Sequence, residues 1–217
     1  MPEAMVLNNF GATETGHQGT SFEDSASGRP TFAMHDGNVV LDEDHNPIEP
    51  GSDQVGFLAR RGRLPVGYYN DPEKTARTFV EIRGERWVIT GDMASVEEDG
   101  QITVHGRGSG CINTGGEKVF VEEVEAVLRA HPGVADAVVV GRDSDRWGQE
   151  IVALVATRPG ITVSGDDLHA ACTSVLARFK TPKEFIVVDE VRRLGNGKAD
   201  YRWAKSRAAE ANTVAAP

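Results

Sequence analysis

A chain of 217 residues with 39% apolar side chains holds enough material for one medium domain or two small ones with ordinary cores, which excludes a largely disordered protein. Its 33 acidic against 23 basic residues leave a formal charge of −10, which argues against a nucleic-acid groove or an anionic membrane surface as the main partner. Cys111 and Cys172 are too few for a disulfide framework, and no apolar run can span a bilayer and no signal-type N-terminus is present; a reducing cytoplasm is expected, with both cysteines as small buried hydrophobes.

Residues 1–9 read as the approach strand to a Gly-Ala-Thr-Glu loop and begin without cap or leader, as the interior of a longer protein does. Between residues 28 and 107, short strand-like runs are punctuated by Gly, Pro and Asp, among them residues 55–60, residues 86–89 and a hairpin signalled by Asp99-Gly100. Asp71-Pro72 ahead of EKTARTF supplies an N-cap and a first-turn proline, which predicts a short surface helix among the strands. After Arg107 the pattern changes. Residues 122–130 place Val124, Val127 and Leu128 on one helical face and stop at His131-Pro132-Gly133. Residues 135–140 and 151–157 are β-rich, Ser164 caps a second helix predicted to run to Phe179, and residues 184–188 form another strand. From Ala211 the chain is Ala-rich and aperiodic, which predicts a frayed end. There are no internal repeats and no low-complexity tract.

This order predicts an α+β protein: a small β-rich part over residues 1–107, a hinge at residues 108–110, a compact α+β domain over residues 111–205 and a tail over residues 206–217. Gly108-Ser109-Gly110 gives backbone freedom between two differently patterned halves, as a hinge requires; a flexible loop without functional rotation reads the same way.

Four segments carry chemistry in a fixed order: NFGATE at residues 9–14, Thr-Gly-Asp at residues 90–92, GRGSGCINTGGEKVFVEEVE at residues 106–125 and Gly-Asn-Gly-Lys at residues 195–198. Together they resemble the C-terminal half of the adenylate-forming enzymes, specifically the acyl-CoA synthetases, from about residue 6 to about residue 205. The Ser/Thr/Gly-rich phosphate loop that the family carries upstream has no counterpart before Asn9, so the chain reads as a fragment whose first 107 residues are the end of the large AMP-binding domain. Residues 136–155, with RWGQEIVALV, look more like the fatty-acid and steroid-side-chain ligases than a peptide-synthetase adenylation domain.

Acyl activation has a carboxylate attack the α-phosphate of ATP, which calls for phosphate donors, a metal and a grip on the nucleotide. On the Gly11-Ala12 loop, Thr13 offers a hydroxyl to the phosphate and Glu14 a hard oxygen for Mg²⁺, although a Thr-Glu pair after Gly-Ala is also a capping arrangement. Asp92 follows the strand predicted at residues 86–89 and a Thr-Gly turn; it is either a plain turn aspartate or, by the resemblance, the carboxylate that takes the ribose hydroxyls. The resemblance also implies that Arg107 assists at the ribose or phosphate, that the Gly115-Gly116 loop lies beside the pantetheine arm of CoA, and that Lys198 contacts the substrate carboxylate and the phosphate during adenylation. From the residues alone, Gly115-Gly116 is a tight turn and Lys198 a surface cation. The chain departs from the family at Ser109, where Asp or Lys is usual at the hinge, and at Val121, where a proline is usual. Glu122, Glu123 and Glu125 are expected to favour the helix N-terminus electrostatically and to stay solvated. The six histidines show no metal spacing, and His17 either lines the acyl end of the site or has no role.

The resemblance implies a ligase that turns ATP and a carboxylic acid into acyl-adenylate and then acyl-CoA, with this chain inactive alone and completed by a missing N-terminal half. The alternatives are a non-catalytic nucleotide-, CoA- or partner-binding module and one half of a split enzyme. Retention of Asp92 and Lys198 argues against the binding module, which has no need of a mobile lysine.

Overall fold

The computed structural model describes residues 7–21 and 31–214, with the remainder of the expected approach strand, of the β-rich stretch and of the tail lying outside the described residues. The chain divides into two compact units, Met1–Ser109 and Gly110–Pro217, and the fold class is α+β.

The first unit is built on an antiparallel sheet. Its elements are β1 (Asn8–Ala12), β2 (Gly16–Ser21), β3 (Thr31–Met34), β4 (Asn38–Leu41), β5 (Gly56–Arg61), helix α1 (Pro72–Thr78), β6 (Phe79–Ile82), β7 (Glu85–Val96) and β8 (Ile102–Arg107). Strand order is β1-β2-β3-β8-β7-β5-β4, with β6 paired to β7. Alternation along the strands sends Val40, Leu58, Ala94, Val96 and Ile102 to one face with Phe32 and Ile48, while Leu41, Ala59 and Ile82 gather on the other with Trp87 and Ile89. Helix α1 starts as its sequence predicts, with the Asp71 side chain accepting from the Lys74 N–H at 2.9 Å, and it buries no residue. Asp99-Gly100 turns β7 into β8 with Gly100 at φ +81°.

The chain then makes one 3-10 turn at Gly108–Gly110, in which neither glycine has positive φ. The second unit follows with β9 (Cys111–Thr114), β10 (Glu117–Phe120), α2 (Val121–Ala130), β11 (Val134–Ser144), β12 (Gly148–Thr157), α3 (Gly165–Val175), β13 (Glu184–Val188) and α4 (Tyr201–Val214). Long antiparallel β11 and β12 form its centre, and β13 joins β12 in parallel. Because successive strand residues face opposite sides, Ala137 and Val139 pack against Val124 and Leu128 of α2 and Leu168 and Cys172 of α3. Val138 and Val140 face Ala204 and Ala208 of α4 on the other side, giving a helix–sheet–helix sandwich.

Four expectations are corrected here. Residues 206–214 are not a tail: α4 runs to Val214, because Asp200 accepts the Trp203 N–H at 3.1 Å as a cap and the small Ala204 and Ala208 let the helix lie close on the sheet. Helix α3 stops at Val175 and not at Phe179; Leu176 turns extended, and the Thr173 and Ser174 hydroxyls bend back onto carbonyls of their own helix. Glu125 is not solvated. It is 4% exposed, since its carboxylate accepts the Val139 N–H at 2.9 Å and the Tyr201 hydroxyl at 3.1 Å, and Glu123 is tied to Lys180 at 2.9 Å. Finally, Cys172 is buried as expected, its thiol pushed up to about 11 by burial, whereas Cys111 is only half-buried.

Candidate functional site

Residues 12–16 make the first feature. β1 and β2 pair with Ala12 opposite Gly16, so Thr13, Glu14 and Thr15 form the loop, and Gly16 at φ +66° closes it in the left-handed conformation. Thr15 is the anchor: its Oγ1 accepts the Ala12 N–H at 3.0 Å and donates to the buried Gln18 Oε1 at 2.9 Å. Thr13 is thereby left exposed at the tip, with Glu14 half-buried behind it. The sequence reading named Thr13 and Glu14 but missed Thr15 and Gln18, whose burial has no signature in a polar GATETGHQ string.

Glu14 is held from a second element. The Tyr68 hydroxyl donates to Glu14 Oε1, and this bond, aided by Lys74 and Arg107, keeps the carboxyl below its ordinary range. Burial, and then the bond to Glu14, raise the Tyr68 phenol. Its ring is clamped by Lys74 Nζ at 3.8 Å from the centroid and by the edge of Phe79 at 6.0 Å. Tyr68 was not singled out in the sequence. Its position beside the predicted α1 cap is the only available signal.

Asp92 lies in β7 and not in a turn after it, which corrects the sequence reading. The ladder with β5 steps from Ala59 opposite Ile89 to Phe57 opposite Met93, so Thr90, Gly91 and Asp92 bulge against Leu58, with Gly91 at φ +87°. The bulge re-aims Asp92, which is 6% exposed; the Thr90 hydroxyl donates to Oδ2, and Arg107 Nε, from the facing position on β8, approaches Oδ1 at 3.3 Å. A carboxylate offers about four acceptor positions, so two such donors leave it able to take a vicinal diol. Arg107 also exerts its charge on Glu14 and Tyr68, which brings the residues named for Mg²⁺ and for ribose into one neighbourhood.

His17 turns back on its own strand, its Nε2 at 2.9 Å from both the Gly19 carbonyl and Thr20 Oγ1, and its ring packs against His35 with centroids 4.5 Å apart and planes tilted by 56°.

In the second unit, Gly115 and Gly116 are the two-residue turn of the β9–β10 hairpin, at φ +60° and +90°. The Gly115 N–H donates to the Trp147 carbonyl at 2.9 Å, and a Cβ on Gly115 would stand 3.1 Å from the Trp147 ring. Trp147, half-exposed, is itself flanked by the guanidinium of Arg146 at 4.7 Å and the ammonium of Lys183 at 5.8 Å. Lys198 closes a second tight loop: the Leu194 N–H donates to the Lys198 carbonyl and the Gly197 N–H to the Leu194 carbonyl, both at 2.8 Å, while Asn196 Oδ1 accepts the Lys198 N–H at 3.1 Å. The exposed lysine side chain therefore projects from a backbone held on both sides.

Comparison with known proteins bears on both units. Residues 123–198 match the model of the AMP-binding enzyme C-terminal domain. Over 210 residues, 95% of this chain and 38% of the relative, the sequence is 47% identical to a medium/long-chain-fatty-acid--CoA/3-oxocholest-4-en-26-oate--CoA ligase of Mycobacterium tuberculosis. A 3-oxocholest-4-en-26-oate--CoA ligase of Rhodococcus rhodochrous is 46% identical over the same shares of the two chains. Among solved structures, the o-succinylbenzoate CoA synthetase of Bacillus subtilis in complex with its acyl-adenylate intermediate superimposes with a TM-score of 0.80 at 28% identity, over 93% of this chain and 41% of that one. The chain thus spans about two fifths of the length of the relatives it matches.

Proposed function

This chain matches the C-terminal portion of adenylate-forming acyl-CoA synthetases, and from that premise we propose that it supplies the ribose-binding, metal-binding and lysine-bearing parts of a ligase that joins a carboxylic acid to CoA at the expense of ATP. The observation that carries this reading is the Asp92–Arg107 pair, a buried carboxylate turned out of its sheet by a glycine bulge and matched with a cation on the neighbouring strand. Arg107 stays half-exposed beside the buried carboxylate, which keeps acceptor positions for a diol ligand.

In this reading Asp92 orients ATP through the ribose hydroxyls, while Arg107 holds the carboxylate and adds positive charge toward the phosphates. The missing Cβ of Gly11 makes room for the Gly16 carbonyl, which would stand 2.2 Å from it, so Gly11 shapes the hairpin while Ala12 borders the nucleotide and Thr13 donates to a phosphate oxygen. Glu14 suits Mg²⁺, being a hard, anionic oxygen donor kept ionised by the Tyr68 hydroxyl; one carboxylate is enough for an ion that takes its other ligands from phosphates and water. When bound, the ion neutralises charge at the phosphates. Lys198 brings its ammonium to the substrate carboxylate and α-phosphate for the first half-reaction, and the Gly115-Gly116 turn borders the thiol arm of CoA in the second. The acid is of the fatty-acid or steroid-side-chain class named for the mycobacterial and rhodococcal relatives. Location in the cytoplasm is part of the same proposal; among the described residues no helix is long and apolar enough to cross a membrane.

The reading is tested by joining this chain to the portion of the mycobacterial relative that it does not span and following acid-dependent pyrophosphate exchange. The joined protein should exchange, and the chain alone should stay at background, because phosphate positioning and electrostatic stabilisation are the main catalytic contributions. Robust ATP-dependent CoA consumption by the chain alone, or a well-folded but inert joined protein, would overturn it.

A further inference from the structure

Gln18, in the strand that follows the Thr13-Glu14 loop, is 0% exposed. A buried primary amide is costly unless its polar atoms find partners, and here they find them on two sides. Its Oε1 accepts the Thr15 hydroxyl at 2.9 Å, and its Nε2 donates to Asn38 Oδ1 at 3.1 Å. Thr15 Oγ1 in turn accepts the Ala12 N–H at 3.0 Å, so the run of side chains reaches the residue from which the loop departs. At the far end, Asn38 Nδ2 donates to the His35 carbonyl at 2.8 Å and to the Gln18 carbonyl at 3.2 Å.

That far end belongs to another part of the sheet. β2 lies next to the β1 end of the strand order and β4 is the opposite end, and among the described residues no ladder joins the two. Asn38 of β4 stands directly across from Arg60 of β5, and both side chains reach over to β2: Arg60 Nη1 donates to the His17 carbonyl at 2.5 Å, and Asn38 to that of Gln18. Two successive carbonyls of β2 thus receive side chains from one cross-strand pair. The Thr13-Glu14 loop is held twice, from one side by Tyr68 on the Glu14 carboxylate and from within by the Thr15–Gln18–Asn38 run. The first hold acts on a side chain; the second acts on the backbone, through the Ala12 amide.

We propose that Gln18 is a positioning residue for adenylation: through Thr15 it fixes the backbone that presents Thr13 and Glu14, and through Asn38 it draws that rigidity from the far end of the sheet. It acts through the loop and not on the substrate. The inference rests on the function proposed above and adds to it the group that sets the placement of the loop. Displacement of a substrate-positioning group by about 1 Å can cost about two decades of rate. The ribose grip at Asp92 is built on β7 and β8 and is spared.

The test replaces Gln18 by methionine, which keeps an unbranched side chain of similar length and removes both hydrogen bonds. In this chain alone, the Ala12 amide of the folded variant should exchange with solvent deuterium faster by about tenfold or more, as local opening becomes easier. In the joined protein, kcat for pyrophosphate release should fall by about tenfold or more and the Mg²⁺ concentration for half-maximal rate should rise, while KM for ATP stays within a few-fold. Thr15→Val should reproduce these changes, Thr15→Ser should keep wild-type behaviour by keeping the hydroxyl, and Thr15→Val with Gln18→Met should lose little more than either alone, as members of one network do. If Gln18→Met does not fold, Asn38→Ala, at a half-buried position, decides in its place with the same signs. An unchanged rate and Mg²⁺ requirement in a folded variant, a loss of rate matched by loss of folded protein, or a Thr15→Ser as slow as Thr15→Val would each overturn the proposal. Ala12 exchange needs neither ATP nor the joined portion. An inert joined wild type therefore counts against the proposed function, and unaltered Ala12 exchange in a folded variant against the positioning role.

Discussion

Asp92 concentrates the argument at the level of single residues. It is almost fully buried, it accepts from Thr90 and Arg107, and its place in β7 is created by Gly91. On the proposed reading, replacing Asp92 with alanine in the joined enzyme removes the acceptor for two ribose hydroxyls, so ATP affinity should fall by about 1.5–3 kcal/mol, roughly one to two decades. The measurement is nucleotide titration of a variant with wild-type melting; unchanged affinity would return Asp92 to a structural role. Gly115 carries a different expectation, because a side chain there meets both a left-handed backbone and the Trp147 ring. Gly115→Ala should cost about 1–2 kcal/mol of stability in urea melts and exceed Gly116→Ala, whose Cβ meets nothing within 4 Å. Equal losses would mean that Trp147 yields freely. The sequence exposed these residues because glycine, aspartate and lysine at tight positions leave motifs. Tyr68, Thr15 and Glu125 stayed hidden, since what distinguishes each is a partner far along the chain or on the next element, and local pattern carries no such information.

Elements were legible in proportion to how local their causes are. Helix α1 and its Asp71 cap, the Asp99-Gly100 hairpin and β13 match the predicted positions because each depends on a few adjacent residues. The bulge in β7 and helix α4 were not visible. The bulge needs the β5 register, and α4 is stabilised by two alanines that look featureless until a sheet lies beneath them. At the same scale, Glu125 ties α2 to β11 and α4, and burial raises its carboxyl above the ordinary range, outweighing the Val139 N–H, Arg129 and Tyr201. A group raised in the folded state contributes stability fully present below its unfolded pKa and lost as pH rises through the folded one. The contribution of Glu125 to the unfolding free energy should therefore fall as pH rises above its unfolded value, about 4.3, and through the raised folded one. Glu125→Gln should flatten that decline while keeping an acceptor for the Val139 N–H. Identical pH profiles in the two proteins would show that Glu125 does not titrate in this window.

For the molecule as a whole, the proposed reading divides its chemistry between two units: Asp92, Arg107 and Glu14 belong to the first, and Lys198 and the Gly115-Gly116 turn to the second. A lysine exposed on a backbone-locked loop suits a charge needed in one step and withdrawn in the next, whereas a ribose clamp serves both. The most direct measurement is therefore the pair of half-reactions on Lys198→Ala in the joined enzyme: pyrophosphate release without CoA, then acyl-CoA formation from supplied acyl-adenylate. Adenylation should fall by about two decades or more, as loss of a charge placed at a transition state does, while thioester formation stays within a few-fold of wild type. Equal losses in both half-reactions, or none in either, would contradict the account.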